Sequence, residues 1–250
     1  EFGGHRARTP GQAMTPAQHP SAPSLTRVGI ARRISQDFRE GEVINLGVGV
    51  PMLCSLFIED EDILLHSEHG VLGHGRQART QDEVDPSLAT AGRQPIIPRP
   101  GMVVMDHAES FALIRGGHLD ATILGAFQVS VQGDLANFWL PGAVAGAIGG
   151  AQDLAFCARR VIVAMQLLPR PRRFVNRLDL EMTAPRCVDR LVTDIGVIDL
   201  EDGRAIVREL VPGWSLEDAQ RLTEVELVVA PEGIAEVTLK SDRDDLWNAA

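Results

Sequence analysis

Apolar positions along the chain follow two periods. Leu25, Val28, Ala31, Ile34 and Phe38 recur at helical spacing ahead of Gly41, which predicts an amphipathic helix closed by a glycine. Residues 42–46 then read as a short buried strand that runs into Gly47-Val48-Gly49-Val50-Pro51, with a helix starting at Met52. A second apolar strand, residues 63–67, stops abruptly in Glu68 and then in Gly70, Gly73 and Gly75. The polar stretch 76–100 predicts a long surface loop with one helical turn. Beyond it, 102–105 is strand-like, 108–114 helix-like, and 121–129 one buried strand. A helix is expected over 151–158 after Gly149-Gly150, and a core strand over 160–165. The segment 167–173 carries Pro169 and Pro171 among arginines and predicts an exposed excursion. Residues 190–200 and 205–210 alternate as strands around Glu201-Asp202-Gly203, Ser215 to Asp218 resembles a capping box, and 227–229 closes the sheet. Near-continuous apolar strands alternating with helices predict an α/β fold, a largely parallel sheet flanked by helices.

The two ends read differently. Residues 1–23 hold Pro10, Pro16, Pro20 and Pro23 with almost no large apolar side chain, and predict a disordered tail. A start on Glu-Phe instead of Met fits a processed or appended end. The division expected is a tail at 1–23, an α/β domain at 24–231 and a C-terminal extension at 232–250, acidic and frayed.

Composition narrows the function classes. At 250 residues and 44% hydrophobic content the chain can bury a full core, as one large domain or two small ones. A formal net charge of −10 speaks against a nucleic-acid partner, because such proteins present basic faces to phosphates. Cys54, Cys157 and Cys187 are odd in number and form no CxxC pair, so a reducing cytoplasm is expected. No apolar run reaches the ~18 residues that would span a bilayer. Small-molecule chemistry is what remains.

Several residues could carry it. Glu68 ends a strand, and in open α/β sheets ligands sit at the carboxyl rim of the strands. A lone Glu before glycines is nonetheless more often a solvated turn residue. His66, His69 and His74 invite a metal reading, but they straddle a strand end without completing a ligand spacing, and no metal is expected. Cys54 could be a nucleophile at a helix start, or a small hydrophobe packed under the turn. Asp106, His107 and Glu109 could form an acid–base group or simply a solvated helix start. The glycine turn at 47–51 could hold a phosphate or carboxylate, although a dinucleotide fingerprint would need a third glycine where Pro51 closes the turn. The glycine-rich stretch 142–150 could set backbone N–H groups against a ligand oxygen.

Taken together, these stretches resemble one family. Asn45-Leu46-Gly47-Val48-Gly49-Val50-Pro51, Ser67-Glu68-His69-Gly70-Val71-Leu72-Gly73, Glu109 to His118, Leu124 to Ser130 with Gly133 to Asn137, Gly149-Gly150-Ala151, Cys187 to Arg190 and Thr193-Asp194 follow in the order found in the B subunit, or C-terminal half, of 3-oxoacid CoA-transferases. The similarity covers about residues 25–230.

The resemblance implies a CoA-transferase fold and a covalent ping-pong reaction. Glu68 would be the nucleophile that carries coenzyme A as a glutamyl thioester, and the Gly150 backbone N–H would steady the oxyanion. Asn45 would line the site, Gly47, Gly49 and Pro51 would floor it, and Gly70 would let backbone approach the substrate. His69 stands beside the nucleophile where Asn is usual, and Arg93, where the family commonly has Lys, would meet a CoA phosphate or an acidic substrate. No tightly bound cofactor is implied, since coenzyme A is part of the substrate. A separate A subunit would complete the site in a hetero-oligomer. Succinyl-CoA would be the donor and acetoacetate or 3-oxoadipate the acceptor. Gln152 replaces a usual Met, and Glu181-Met182-Thr183-Ala184-Pro185-Arg186 replaces a Pro-Leu-Thr-Gly sequence, so departures gather around the acyl pocket. The other readings are an acyl-CoA hydrolase on the same scaffold and a non-catalytic assembly subunit.

Overall fold

The computed structural model describes residues 22–58, 62–142, 146–168, 172–240 and 244–248. Most of the predicted tail, residues 1–21, therefore lies outside the described residues. Strand β1 (Ser24–Leu25) leads into helix α1 (Arg27–Ser35), capped by Thr26, whose hydroxyl accepts the Gly29 N–H at 3.0 Å. Ile30, Ala31 and Ile34 form the buried face of α1. Arg33 sits on that face too, and its charge is met by Asp37 and Glu209, each at 2.7 Å.

The chain continues through β2 (Val43–Leu46), α2 (Val50–Leu53), β3 (Leu64–Ser67), β4 (Val71–Leu72), β5 (Val103–Val104), α3 (His107–Arg115) and β6 (Ala121–Gly125). Next come β7 (Gln128–Ser130), β8 (Leu135–Ala136), α4 (Ala151–Cys157), β9 (Val161–Met165), β10 (Phe174–Val175), β11 (Arg190–Thr193), β12 (Gly196–Glu201) and β13 (Arg204–Leu210). Helix α5 (Leu216–Gln220), β14 (Leu227–Val229), β15 (Ala235–Glu236) and β16 (Trp247–Asn248) end it. Between β4 and β5 the long loop holds one short 3-10 turn, Gln81–Glu83, as expected. The predicted capping box of α5 is present, with the Ser215 hydroxyl accepting from Asp218 N.

Among the described residues the main sheet runs β14-β13-β12-β11-β9-β6-β2-β3-β4-β5, with β15 also on β13. Its centre, β11-β9-β6-β2-β3, is parallel throughout. All five residues of β9 and the first four of β6 are buried, because helices and loops cover both faces. Truncating the fully buried Ile123 to Ala would cost about 2–5 kcal/mol. From β2 the chain steps to β3 on one side and later to β6 on the other. The carboxyl ends of these three strands therefore open a crevice where the strand order reverses.

Four expectations need correction. Residues 121–129 are two strands, not one: β6 belongs to the main sheet, whereas β7 joins a three-stranded sheet of order β10-β7-β8. The break lies at Ala126 and Phe127, whose carbonyls are drawn aside by the Arg173 guanidinium. Residues 190–200 also divide, because the Thr193 hydroxyl accepts the N–H groups of Ile195 and Gly196 at 3.2 and 3.1 Å and closes a tight turn. The segment 167–173 is not simply exposed: Leu167 is buried, and its N–H and that of Leu168 donate to the Asp194 carboxylate. Residues 169–171 lie outside the described residues. Finally, the extension after residue 231 is not frayed where it is described. Strand β15 pairs with β13, Val237 and Leu246 are buried, and β16 pairs with β1. The Leu246 carbonyl takes the Thr26 N–H at 2.9 Å and passes so close to α1 that only glycine fits at Gly29.

Candidate active site

The crevice is a cleft of about 490 Å³. Gly47 and Val48 line it from the end of β2, Glu68 from the end of β3, Leu124 to Phe127 from the end of β6, and Ala147 to Ala151 from the approach to α4. Asn137 and Leu154 complete the described lining. Glu68 is the sole ionisable side chain among the described residues that form this lining. Its carboxylate takes no hydrogen bond or ion pair from another described residue. A half-buried carboxylate among glycines and apolar side chains is an accessible nucleophile or base in a low-polarity site.

The chain delivers Glu68 there through a hairpin turn. The Ser67 carbonyl accepts the Gly70 N–H at 3.0 Å, β3 turns back into β4, and Glu68 occupies the first turn position. Gly70 adopts φ +126°, and a Cβ on it would lie 2.3 Å from the Met105 carbonyl oxygen, so this turn requires glycine. Opposite Glu68 stands Gly150, the N-cap of α4. A Cβ on Gly150 would lie 3.3 Å from Glu68 Cγ and 2.9 Å from Phe111 Cζ. The two residues predicted as catalytic are thus brought into contact distance, and no described residue accepts the Gly150 N–H.

The other predicted residues divide into three groups. Gly47 reaches the cleft, held by its N–H to the Ile123 carbonyl at 2.9 Å. Gly49, at φ +90°, and the buried Pro51 form the turn and first residues of α2 behind it and are not part of the lining. Asn45 is a correction: its side chain has no exposed surface and bonds to His66 and Thr122 beneath the cleft instead of lining it. His69 is exposed, with Nδ1 3.1 Å from the Ser67 hydroxyl. Arg93 is exposed at φ +63° in a turn closed by its N–H to the Thr90 carbonyl at 2.8 Å. That turn rests against Val48 of the cleft wall at Gly92, and Ala91 N–H donates to the Ser67 hydroxyl at 2.9 Å. Arg93 is therefore beside the cleft, not in its lining.

His66 and His74 have no exposed surface, and burial pushes both pKa values down to about 4. The described residues hold no cluster of three His, Cys, Asp or Glu suited to a metal. Cys54 is fully buried, which pushes its thiol pKa up and leaves it a packing residue and not a nucleophile. Asp106 and Glu109 are the two halves of the α3 capping box.

Sequence reasoning missed the residues that hold the cleft in shape. Ser67 ties the 90–93 turn and His69 to the strand that bears Glu68. Arg173 gathers the carbonyls of Ala126, Phe127 and Gln166 behind the wall. The Thr183 hydroxyl donates to Asn137 Oδ1 at 2.8 Å, which leaves the Asn137 amide nitrogen as a donor at the lining. These contacts have no local sequence signal: the bonds from Ser67 to Ala91, Arg173 to Phe127 and Thr183 to Asn137 join segments at least 24 residues apart. No helix among the described residues is long and apolar enough to cross a membrane.

The family model described as coenzyme A transferase matches residues 27–220. The chain is 41% identical over 214 residues to the B subunit of the 3-oxoadipate CoA-transferase of Acinetobacter baylyi, covering 84% of this chain and 98% of that one. It is 37% identical over 220 residues to the beta subunit of the acetate CoA-transferase of Escherichia coli, covering 87% and 97%. Its fold matches the acyl-CoA transferase of Escherichia coli O157:H7, solved as a thioester complex with CoA, at a TM-score of 0.68 and 21% identity over 86% of this chain and 43% of that one. The family model spans the strands that form the cleft together with Glu68 and Gly150, and the chain belongs to the coenzyme A transferase family.

Proposed function

We propose that this chain is the B subunit of a two-subunit transferase that moves coenzyme A from succinyl-CoA to a 3-oxo acid, 3-oxoadipate or acetoacetate. The observation that carries the reading is the Glu68 carboxylate, without a partner among the described residues, in an apolar cleft and in contact distance of the Gly150 backbone. Glu68 attacks the acyl thioester carbonyl and expels CoA thiolate, leaving a mixed anhydride. The thiolate attacks the glutamyl carbonyl and releases the first acid, so that CoA is held on Glu68 as a thioester. The acceptor carboxylate then attacks that thioester, and the freed thiolate takes the new acyl group and restores Glu68. Every bond broken is matched by one formed, and no external cofactor enters.

The Gly150 N–H supports the oxyanions formed along this route, a role in which one donor is worth about 3 kcal/mol. Arg93, beside the wall, meets a CoA phosphate or an acidic acyl group, and Asn137 offers a donor to substrate oxygen. The apolar lining keeps water from the anhydride. The A subunit covers the cleft, and the exposed Val48 of the lining, with the exposed Trp139, Leu140 and Phe156 close to lining residues in the sequence, is the surface it meets. The described cysteines are free, in keeping with a cytoplasmic assembly. The relatives named for 3-oxoadipate favour that acceptor.

The test is reconstitution with the A subunit and product analysis with succinyl-CoA and each 3-oxo acid. A new 3-oxoacyl-CoA with one equivalent of succinate supports the reading. Free acid with no new CoA ester would make the protein a hydrolase instead, and no turnover with any acyl-CoA would leave it a non-catalytic assembly component.

A further inference from the structure

Beneath the turn that bears Glu68 runs a chain of four polar side chains, none of which has exposed surface: Thr122 on β6, Asn45 on β2, His66 on β3 and Ser110 on α3. The Thr122 hydroxyl donates to Asn45 Oδ1 at 2.9 Å, and Asn45 Nδ2 lies 3.1 Å from His66 Nδ1. His66 Nε2 lies 3.0 Å from Ser110 Oγ, which donates to the backbone carbonyl of Glu68 at 2.8 Å. The two ends fix the protons in between. A carbonyl has none to give, so the Ser110 proton goes to Glu68, and His66 Nε2 must supply the N–H to Ser110. The Asn45 amide nitrogen has protons only to give, so His66 Nδ1 must be a lone pair. All donors and acceptors agree when the imidazole is neutral with its proton on Nε2, the state that burial also favours.

We infer that Ser110 and His66 are positioning residues for Glu68: they lock its backbone carbonyl and so hold its side chain over Gly150. The next residue of α3 strengthens the case. Phe111 closes on Gly150, so one helix sets both the nucleophile and the backbone that faces it. A carbonyl left without Ser110 would let the Glu68–His69 peptide rotate, and a displacement of about 1 Å at a reacting group can cost roughly 100-fold in rate. The inference rests on the reading of Glu68 as nucleophile.

The experiment follows the rate of CoA attachment to Glu68 by mass spectrometry in the reconstituted two-subunit complex, with KM for the acyl-CoA measured in parallel. Ser110→Ala should slow attachment about 10- to 100-fold while KM stays within about twofold. Ser110→Thr, which keeps the hydroxyl, and His66→Gln, which keeps a donor to Ser110 and an acceptor for Asn45, should recover most of the rate, whereas His66→Leu should not. Attachment at the wild-type rate in Ser110→Ala, or equal losses in His66→Gln and His66→Leu, would overturn the positioning role alone. No adduct at Glu68 in the wild-type complex would overturn the nucleophile reading and this inference with it. The His66 pair gives the decision if Ser110→Ala fails to fold.

Discussion

Gln152 Nε2 donates to the Thr183 carbonyl at 2.9 Å. Both residues fall in stretches where the sequence resemblance implies departures from the usual pattern, and the contact joins those two stretches behind Asn137 of the cleft wall. Thr183 in turn orients Asn137, which lines the cleft. Gln152→Ala should lower kcat/KM for the acceptor acid about 2- to 10-fold, the worth of one net hydrogen bond, with a smaller effect on the half-reaction with acyl-CoA. Steady-state kinetics with acceptor and donor varied in turn checks this. Equal changes for both would remove the wall from the account of specificity.

Gly150 carries a steric prediction. An added methyl would force the Phe111 ring, 2.9 Å away, to shift and would need Glu68 Cγ, at 3.3 Å, to give way by a few tenths of an ångström. Gly150→Ala should therefore lose about 10- to 100-fold in activity while keeping its unfolding temperature within a few degrees. Adding Phe111→Leu should restore part of the loss, because it frees the tighter of the two contacts. Rates and melting curves of the single and double variants decide it.

Acid should destabilise the fold over a defined range. His66 and His74 titrate near pH 4 in the native chain and near 6.5 when unfolded, so the unfolded chain binds more protons between these values. Their contribution is complete above about pH 6.5 and drains as pH falls toward 4, with a slope approaching roughly 2.7 kcal/mol per pH unit for the pair. Asp189 and Asp194, whose carboxyl pKa values burial raises, act in the opposite sense. Urea unfolding at several pH values should show a shallower slope in His66→Gln, by about one proton. An unchanged slope would mean that His66 is not held neutral.

Association with the A subunit should depend on the apolar surface beside the cleft. Phe156 is 58% exposed and Trp139 37%, apolar surface that a partner would bury. Phe156→Glu and Trp139→Glu should fold as the parent does and fail to co-purify with the A subunit. Normal assembly of both variants would move the interface elsewhere.

The fold is readable where periodicity is long. The face of α1, the strands around Ile44, Leu65, Ile123 and Val163, and the capping box at Ser215 all follow from local spacing. It is unreadable where a distant group decides the outcome. The break after Gly125 depends on Arg173, nearly 50 residues away, and the order of the C-terminal residues depends on contacts with β13 and α1. The site shows the same division. Glu68, Gly70 and Gly150 carry motif signals that put them at a strand end, a turn and a helix start. His66 reads as a metal candidate in the sequence because its partners, Asn45 and Ser110, lie 21 and 44 residues away and only the folded sheet joins them.

If Glu68 carries coenzyme A, the thioester can be trapped when no acceptor is present. The most direct measurement is peptide mass spectrometry of the reconstituted complex after incubation with succinyl-CoA and no acceptor. A CoA adduct is expected on the peptide holding Glu68 alone, released by hydroxylamine, discharged by the acceptor acid, and absent in Glu68→Ala together with turnover. Full transferase turnover in Glu68→Ala, or an adduct on any other residue, would contradict that role of Glu68.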